Sequence, residues 1–510
     1  MNIQTEYDVV VVGLGPAGTL ISLLLNDSSI RILGIDKDRE VYDLPRAVNI
    51  DDEGLRTMQR LNLEHIYLDN STVIGGAYFV DDKLQKLSGI DMPKDFLTGN
   101  GWFPGAMFHQ PYTDVLLREE LLKTDSTICL ETELTEIIEE NDYYTIKTKD
   151  LSTLKENSVT TKYIIGADGA SSKVRTILGL AQEDLDYDKN WLVVDVKLNQ
   201  ENNLPSYAAQ ICDPKRISTY IPAHLPYRRW EFILLEGETE EEMLKENKIQ
   251  ELISPWVKSD EYQIIRAAVY RFHSLLTDKF RQGNCFLIGD AAHQNPPFMG
   301  QGMMSGYRDA LNLSWKLTAV IHKQLPENIL ETYEKERKPH SRFVVDGSAA
   351  IGKLMSAYTD AVRRGNPSDV PQELLDRGYG SYSLPPLNDG ILYKGKSDDK
   401  SMVGFHFPQP LLMEGSKCKE RYDHFLGKGF CVVSKEGVSI SPDQKSFYEK
   451  IKTKFLVLEE TMINKNPWIK EFMSKSEIYI IRPDRHIFGS TSDKITFSEL
   501  TRDLKERLGM

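Results

Sequence analysis

The stretch YDVVVVGLGPAGTLISLLL (residues 7–25) decides the fold. A β-branched apolar run of strand length leads into a glycine-rich turn, and the apolar pattern after the turn is typical of a helix. The segment IRILGID (residues 30–36) then adds a second apolar strand that ends in an acid. This order predicts a β-α-β unit, and therefore an α/β protein with a parallel sheet and a right-handed crossover.

The turn carries the pattern G-x-G-x-x-G, which suits a dinucleotide. Gly13 permits the tight turn, Gly15 lets a diphosphate approach the backbone, and Gly18 lets the helix pack on the strand. The helix N-terminus faces the anionic phosphates. Asp36 closes the second strand about 20 residues on, where a carboxylate binds ribose hydroxyls.

Two more acid–glycine turns follow apolar runs and distinguish between NAD and FAD. Asp168 lies in YIIGADGASSKVR (163–175), and Asp290 in LIGDAAHQNPPFMGQGMMSGYRDALNL (287–313). A nicotinamide site needs fewer such turns, whereas the ribityl hydroxyls of FAD require a carboxylate. The sequence therefore favours FAD.

Composition narrows the class of protein. The chain has 510 residues, 40% of them hydrophobic, and a net charge of -14, which argues against a nucleic-acid or anionic-membrane partner. Its five cysteines are odd in number, widely spaced and without a CxxC pair or a metal-ligand spacing. With no signal-peptide pattern and no apolar run of about 18 residues, we expect a cytoplasmic protein without a metal site.

The pattern of strands and helices predicts an interleaved organisation. Helical and parallel-strand segments form the first domain, short alternating strands form a second layer inserted into it, and a linker rich in Gly, Pro and Asp precedes a small α/β domain. The predicted ranges are 1–70, 102–180 and 275–360 for the first domain, 71–101 and 181–274 for the second, 361–401 for the linker, and 402–510 for the last.

Several ordered motifs resemble one family. They are PRAVNIDDEGLRTMQ (45–59), FHQP (108–111), RRWEFILLEGE (228–238), VYRFH (269–273) and the stretch from residue 287. The chain resembles the FAD-dependent aromatic hydroxylases, the class A flavoprotein monooxygenases, in the branch of 3-(3-hydroxyphenyl)propionate hydroxylase and phenol hydroxylase. The resemblance implies a Rossmann-like FAD-binding domain, an interleaved, mainly antiparallel β-sheet domain for the substrate, and a thioredoxin-like C-terminal domain.

The C-terminal resemblance rests on IIRPDRHIFG (480–489). This region lacks the CxxC pair that redox exchange would need, so we expect a structural or oligomerisation role.

The resemblance also implies the residues that bind FAD. We expect the diphosphate at Gly13, Gly15, Pro16, Ala17 and Gly18, the adenosine at Asp36 and Lys37, the diphosphate and ribityl chain near Arg46, Gln110 and Asp290, a cofactor role for Asp168, and the isoalloxazine along Pro297, Gly300, Gly302 and Met303. Lys37 stands where the family commonly has arginine.

The implied reaction consumes O2 and either NADH or NADPH. The nicotinamide passes a hydride to FAD, and the reduced flavin forms a C4a-hydroperoxide that delivers a hydroxyl to a phenolic ring. The helix N-terminus at Gly302 and Met303 would stabilise negative charge on the reduced ring.

The substrate side is predicted from strand alternation. Trp230 and Phe232 share one face of their strand, and Arg229, Glu231 and Ile233 share the other. Candidate substrate contacts are Tyr220, Trp230, Phe232, Phe272 and Pro297, and candidate catalytic residues that help a phenol lose its proton are Tyr270 and His273. Packing explains these residues equally well, and we interpret His293 as structural.

Two alternatives stay open at this point. One is oxygenation of a larger polyketide or antibiotic substrate, and the other is a flavin-bearing redox sensor without catalysis. The expected partners are an aromatic small molecule, O2 and NAD(P)H, without nucleic acid or membrane, and a homodimer is compatible with the sequence.

Overall fold

A computed structural model describes residues 5–44, 46–200, 203–376, 384–395, 402–414 and 417–510. In chain order its strands are β1 (Glu6–Val12), β2 (Ile32–Ile35), β3 (Asn49–Asp51), β4 (Ser71–Val73), β5 (Gly76–Val80), β6 (Lys86–Asp91), β7 (Gly105–Phe108), β8 (Thr127–Cys129), β9 (Thr132–Glu139), β10 (Tyr144–Asp150), β11 (Glu156–Gly166), β12 (Gln182–Leu198), β13 (Ala208–Ile211), β14 (Ser218–Ile221), β15 (Tyr227–Ile233), β16 (Tyr262–Thr277), β17 (Arg281–Gln282), β18 (Cys285–Leu287), β19 (His293–Gln294), β20 (Leu411–Glu414), β21 (Lys417–Arg421), β22 (Cys431–Ser434), β23 (Lys454–Val457), β24 (Ile478–Ile481) and β25 (Ile487–Ser490).

The helices are α1 (Pro16–Asn26), α2 (Asp52–Arg60), α3 (His65–Leu68), α4 (Gln110–Leu122), α5 (Lys173–Ile177), α6 (Glu240–Met243), α7 (Glu246–Ile253), α8 (Gly302–Ile321), α9 (Thr332–Arg363), α10 (Gln372–Leu375), α11 (Asp423–Leu426), α12 (Pro442–Lys450), α13 (Glu460–Lys465), α14 (Pro467–Lys475) and α15 (Phe497–Arg507). Short 3-10 turns span Gly289–Ala291, Pro297–Met299 and Glu327–Glu331.

The first sheet has the order β17-β18-β11-β1-β2-β8, and β10 and β9 extend from β11. β1 is parallel to both β2 and β11, which confirms the predicted β-α-β unit. Val9–Val12 are buried on both faces of β1, as expected for a parallel strand covered by helices.

The second sheet has the order β19-β16-β12-β15-β14-β13-β5-β6. The chain enters it twice, through β5 and β6 and again from β12 onwards, and every pairing is antiparallel except that of β13 with β5. The interleaved, mainly antiparallel layer is therefore confirmed. β4 belongs elsewhere, because it pairs with β7 in a three-stranded sheet that also contains β3.

The two faces of the second sheet have different neighbours. On the outer face, Trp230 and Phe232 pack in one apolar cluster with Met243, Ile249 and Ile253 of α6 and α7. On the inner face, the ring centroids of Trp191 and Phe298 lie 5.2 Å apart, next to α9. The inner face is thus the one turned toward the loop that precedes α8.

The C-terminal segment forms a four-stranded sheet of order β23-β22-β24-β25. β22 and β23 are parallel, and the other two pairs are antiparallel. The thioredoxin-like assignment of this segment stays a prediction. Within the predicted linker, Leu387, Ile391 and Leu392 are buried, so residues 384–395 pack against the protein rather than extend from it.

Buried ion pairs join the C-terminal segment to the helices of the N-terminal part. Arg56 of α2 contacts Asp423 at 2.7 Å, and Arg482 contacts Glu336 of α9 at 2.6 Å. Glu336 also binds Lys316 of α8 at 2.7 Å. These charges are nearly or fully buried, so removing one partner would leave the other uncompensated.

Within the described residues, no helix is long and apolar enough to cross a membrane. The same part of the chain contains no cluster of His, Cys, Asp and Glu side chains suited to a metal ion.

Candidate active site

The three glycines of the first turn differ in the space around them. A Cβ on Gly13 would lie 2.6 Å from the Ala167 carbonyl oxygen, and one on Gly18 would lie 1.9 Å from the Gly13 carbonyl oxygen. Gly13 also has a φ of 89°, which favours glycine. Around Gly15, by contrast, the described protein places no atom within 4 Å of a Cβ. The turn is therefore tight on two sides and open at Gly15, where α1 begins, which fits an approaching diphosphate.

Pro16 and Ala17 begin helix α1 behind this opening. Pro16 occupies the first turn, where its missing N–H costs nothing. A Cβ on Gly306 of α8 would lie 3.1 Å from the Ala17 Cβ, so α1 and α8 touch almost backbone to backbone.

Asp36 lies at the end of β2, next to the glycine turn. Its carboxylate accepts a hydrogen bond from the Leu14 N–H at 2.8 Å and lies 3.5 Å from Arg118. The adjacent Lys37 is exposed. The structure thus brings Asp36 to the predicted adenosine end of the turn.

Gln110 joins the loop after β2 to helix α4. Its side-chain oxygen accepts hydrogen bonds from the backbone N–H groups of Arg46 (2.9 Å) and Ala47 (2.6 Å), and its amide donates to Asp114 at 3.0 Å. The Arg46 guanidinium is exposed and lies over the Tyr42 ring. Gln110 therefore positions the Arg46 loop, and the guanidinium is left facing outward.

Asp168 lies at the N-terminus of helix α5. Its carboxylate accepts hydrogen bonds from the Ser172 hydroxyl at 2.5 Å and from the N–H groups of Lys173 and Val174 at 2.7 and 3.0 Å. These bonds cap the N-terminus of α5, because the first N–H groups of a helix lack partners within it. Asp168 therefore caps α5, and its contact with the cofactor stays a prediction.

Asp290 lies in the turn after β18, with an exposed carboxylate. Among the residues described, nothing donates a hydrogen bond to it. The chain then passes through the turn Pro297–Met299 to Gly300. The φ of Gly300 is 63°, in the left-handed region that favours glycine. Gly302 and Met303 begin α8, so the positive end of a 20-residue helix lies at this loop.

The N-terminus of α8 is fastened to α2. Asp51 caps α2 by accepting from the Gly54 N–H at 2.8 Å, and it also accepts hydrogen bonds from Arg308 at 2.5 Å and Gln301 at 3.2 Å. These bonds fasten the end of the loop from 297 to 303 and the first turns of α8 to the N-terminus of α2.

His293 is structural, as the sequence indicated. Its Nε2 lies 2.7 Å from Asp309, which also accepts from Arg337 at 2.8 Å and from the Gly289 N–H at 3.0 Å. His293 is 1% exposed, so it contacts neither solvent nor an open site.

Three of the predicted substrate contacts lie on the outer face of the second sheet. Tyr220, Trp230 and Phe232 belong to the cluster on the outer face, and the Tyr220 and Trp256 rings stack with centroids 5.2 Å apart. Alternation correctly grouped Trp230 with Phe232, but this face packs against α6 and α7. These residues form the apolar core between the second sheet and helices α6 and α7, and their contact with a substrate stays a prediction.

Tyr270 and His273, the two candidate catalytic residues, lie on opposite faces of β16. Tyr270 and Phe272 lie on the inner face of β16, and the Tyr270 ring lies 4.6 Å from the Arg266 guanidinium. His273 points to the other face, and its Nδ1 lies 3.7 Å from Asp188 near the surface. Because successive strand residues alternate, His273 cannot join Tyr270 in one site.

The inner face carries a network of charged residues that the sequence did not predict, although it placed Arg229 and Glu231 on one face of their strand. Arg229 binds Asp195 at 2.7 Å and donates to the Arg46 carbonyl oxygen at 2.8 Å, and Arg266 lies 3.5 Å from Asp195. All three side chains are buried. The network ties the second sheet to the loop that carries Arg46, next to Gln110.

Glu231 lies two residues after Arg229 on β15, on the same face of the sheet. It is 2% exposed, and its nearest cation is the Arg229 Nη1 at 4.0 Å. Burial raises the pKa of Glu231 to about 7. The signal in the sequence was the three charged residues in the stretch RRWEFILL (228–235), because a strand buried on both faces normally excludes charge.

A strand–glycine–helix cradle, an acid at each of two strand ends and a helix N-terminus along the same edge define a flavin-dependent protein of the dinucleotide-binding class. The model of the FAD binding domain family matches residues 6–348, about two thirds of the chain, and this protein belongs to that family.

Relatives extend the match. The chain is 28% identical over 520 aligned residues to the "Probable NADH-specific resorcinol 4-hydroxylase" of Rhodococcus jostii (strain RHA1), which covers 98% of this chain and 95% of the relative. It is 31% identical over 446 residues to the 3-(3-hydroxy-phenyl)propionate/3-hydroxycinnamic acid hydroxylase of Mycolicibacterium smegmatis (strain ATCC 700084 / mc(2)155), with coverage of 85% and 78%.

Solved structures share the fold along the whole chain. The flavin-dependent monooxygenase PieE, in complex with FAD and substrate, superposes with a TM-score of 0.81 at 18% identity, covering 100% of this chain and 99% of that one. Aklavinone-11 hydroxylase, with FAD and aklavinone, gives a TM-score of 0.79 at 19% identity and full coverage of both chains, 100% each. The predicted resemblance to FAD-dependent aromatic hydroxylases is confirmed.

Proposed function

We propose that this protein is an FAD-dependent monooxygenase that uses O2 and NADH or NADPH to add one hydroxyl group to a phenolic ring. One observation carries the proposal. The inner face of the second sheet meets the loop before α8, where the Gln210 amide lies 3.5 Å from the Phe298 carbonyl oxygen. An aromatic ring held on that face would lie beside the loop predicted to follow the flavin ring.

The residues present fit FAD. The open side of Gly15 admits a diphosphate, Asp36 lies at the ribose end, and the free carboxylate of Asp290 suits the ribityl hydroxyls. Bound FAD supplies the redox chemistry, namely hydride acceptance and oxygen activation. The N-terminus of α8 at Gly302 would stabilise negative charge next to it.

The protein's own contribution is to orient the ring and exclude water. Trp191, Phe298 and Tyr187 form a packed aromatic group at one end of the inner face. The charged network of Arg229 and Asp195 closes the other end. A substrate ring placed between them would be shielded from water by these buried side chains, and electrostatic interactions are stronger there than in water.

The names of the relatives point to small phenols as substrates. The experiment is to incubate the FAD-loaded enzyme with NADH and, in turn, with resorcinol and 3-(3-hydroxyphenyl)propionate. We expect phenol-stimulated NADH oxidation and a product heavier by one oxygen atom in mass spectrometry. Oxidation that yields only hydrogen peroxide with every phenol, or none at all, would contradict the proposal.

A homodimer and a cytoplasmic location are further proposals. The first is tested by light scattering of the purified protein, and the second by fractionation of the producing cells.

A further inference from the structure

Glu231 stands in a row of side chains that crosses the inner face of the second sheet. Strand pairing sets Glu231 beside Val193 on β12 and Thr219 on β14, and sets Thr219 beside Gln210 on β13. The Thr219 hydroxyl donates to the Gln210 oxygen at 2.7 Å, and Gln210 in turn reaches Phe298. The row therefore faces the loop before α8.

The Glu231 carboxylate is the exception in this row, because its acceptor capacity is unused. Within the part of the chain that the structure describes, it accepts no hydrogen bond, although it is 98% buried. A buried carboxylate without hydrogen bonds costs several kcal/mol, so such groups normally mark a site for a ligand or a proton.

The charges around Glu231 come from three directions. Arg229 lies on its own strand, Asp195 and Tyr187 lie on β12, and Arg266 lies on β16. Arg229 is already satisfied by Asp195 through two hydrogen bonds, at 2.7 and 3.2 Å. The contact of Glu231 with Arg229 is therefore a long ion pair of 4.0 Å without a hydrogen bond, and it leaves the carboxylate oxygens of Glu231 able to accept a proton or a hydrogen bond.

We propose that Glu231 is the base that accepts the proton of the substrate's phenolic hydroxyl, an inference that rests on the proposed function. The phenol O–H bond breaks, the proton passes to a Glu231 carboxylate oxygen, and the electron pair stays on the phenolate oxygen. The phenolate is more electron-rich at the ring carbons ortho and para to it. When product leaves, the proton returns to solvent.

The test compares wild type with Glu231→Gln, which keeps the shape of the side chain and removes the base. Both are loaded with FAD, and kcat and KM are measured across pH with resorcinol. We expect kcat of wild type to rise through about pH 7. In the variant, kcat should fall roughly 100-fold or more and recover only as the phenol ionises by itself near pH 10. KM should change far less than kcat.

The matched control is Glu236→Gln, an exposed glutamate on the loop after the same strand. It should behave as wild type. If Glu231→Gln binds FAD normally and keeps both kcat and the pH profile of wild type, Glu231 is not the base.

A second readout does not depend on turnover. A nitrophenol changes colour when it ionises, so its absorption spectrum reports the protonation state of the bound ring. We expect the anion on wild type, below the pH at which the free nitrophenol ionises, and the neutral form on Glu231→Gln. Identical spectra on both proteins, or no binding to wild type, would overturn the inference. If wild type ionises the nitrophenol yet hydroxylates no phenol, the proposed function fails while the role of Glu231 stands.

Discussion

Replacing the buried Glu231 with glutamine should stabilise the folded protein, whereas the same replacement of the buried Glu336 should destabilise it. Burial raises the pKa of Glu231 from its ordinary 4.5 to about 7. Because the pKa is higher in the folded state, the folded protein loses stability as pH rises through this window. The full rise is worth about 3 kcal/mol, at about 1.4 kcal/mol for each pH unit. Glu231→Gln should therefore regain about 3 kcal/mol at pH 8, and less than about 1 kcal/mol at pH 5.

For Glu336 the neighbouring cations have a larger effect on the pKa than burial has. Burial disfavours its charge, but Arg482 and Lys316 outweigh that effect and lower its pKa to about 2. Glu336→Gln would leave the buried Lys316 ammonium without its carboxylate partner and Arg482 with Asp484 alone, which costs roughly 3–5 kcal/mol. Unfolding entropy of about 2.1 cal/mol/K per residue amounts to about 1 kcal/mol/K for a chain of this length, so the melting temperature should fall by about 3–5 °C.

The assay is thermal unfolding at pH 8 and pH 5, with FAD at one fixed saturating concentration because bound ligand also raises the melting temperature. For Glu231→Gln we expect a rise of about 3 °C at pH 8 that shrinks at pH 5. Glu236→Gln should stay within about 0.5 kcal/mol of wild type. A Glu231→Gln protein that melts at or below the wild-type temperature at pH 8 would refute the reasoning.

The remaining predictions concern the cofactor cradle and the corrected residues. Gly18→Ala should fail to fold, since its Cβ would lie 1.9 Å from the Gly13 carbonyl oxygen. Gly15→Ala should fold normally and bind FAD more weakly. Circular dichroism reports the folding of each variant, and a flavin fluorescence titration reports its affinity for FAD. Asp168→Ala should lower stability by about 1–2 kcal/mol through the lost cap, while the FAD dissociation constant stays unchanged in the same titration. His273→Ala should leave kcat unchanged in the NADH assay, and a large loss would restore it as a catalytic candidate.

Local constraints were readable from the sequence. The spacing of Gly13, Gly15 and Gly18 between a strand and a helix needs only neighbouring residues, and the structure follows it closely. The structural interpretation of His293 also held, since Asp309 binds its ring at 2.7 Å.

Contacts between residues that are far apart in the sequence could not be predicted in this way. Strand alternation divides Trp230 from Glu231, but it does not say which face meets the loop before α8, and the large aromatic residues predicted to contact substrate lie on the other face. Similarly, an acid after a strand suits a ribityl chain or a helix cap equally well, and Asp168 is used for the cap. The partner of Glu336 lies 146 residues away at Arg482, beyond any local pattern.

Helix α2 links two distant parts of the molecule. At its N-terminus Asp51 binds Arg308 and Gln301 beside the loop that precedes α8. About one turn further on, Arg56 binds Asp423 and the Phe407 carbonyl oxygen, each at 2.7 Å. Helix α2 has nine residues and is about 13 Å long, so a displacement at one end is transmitted to the other. Directed evolution of this enzyme should therefore find variants with altered turnover in the C-terminal segment as well as around the ring, because displacing that anchor tilts the helix that holds the loop.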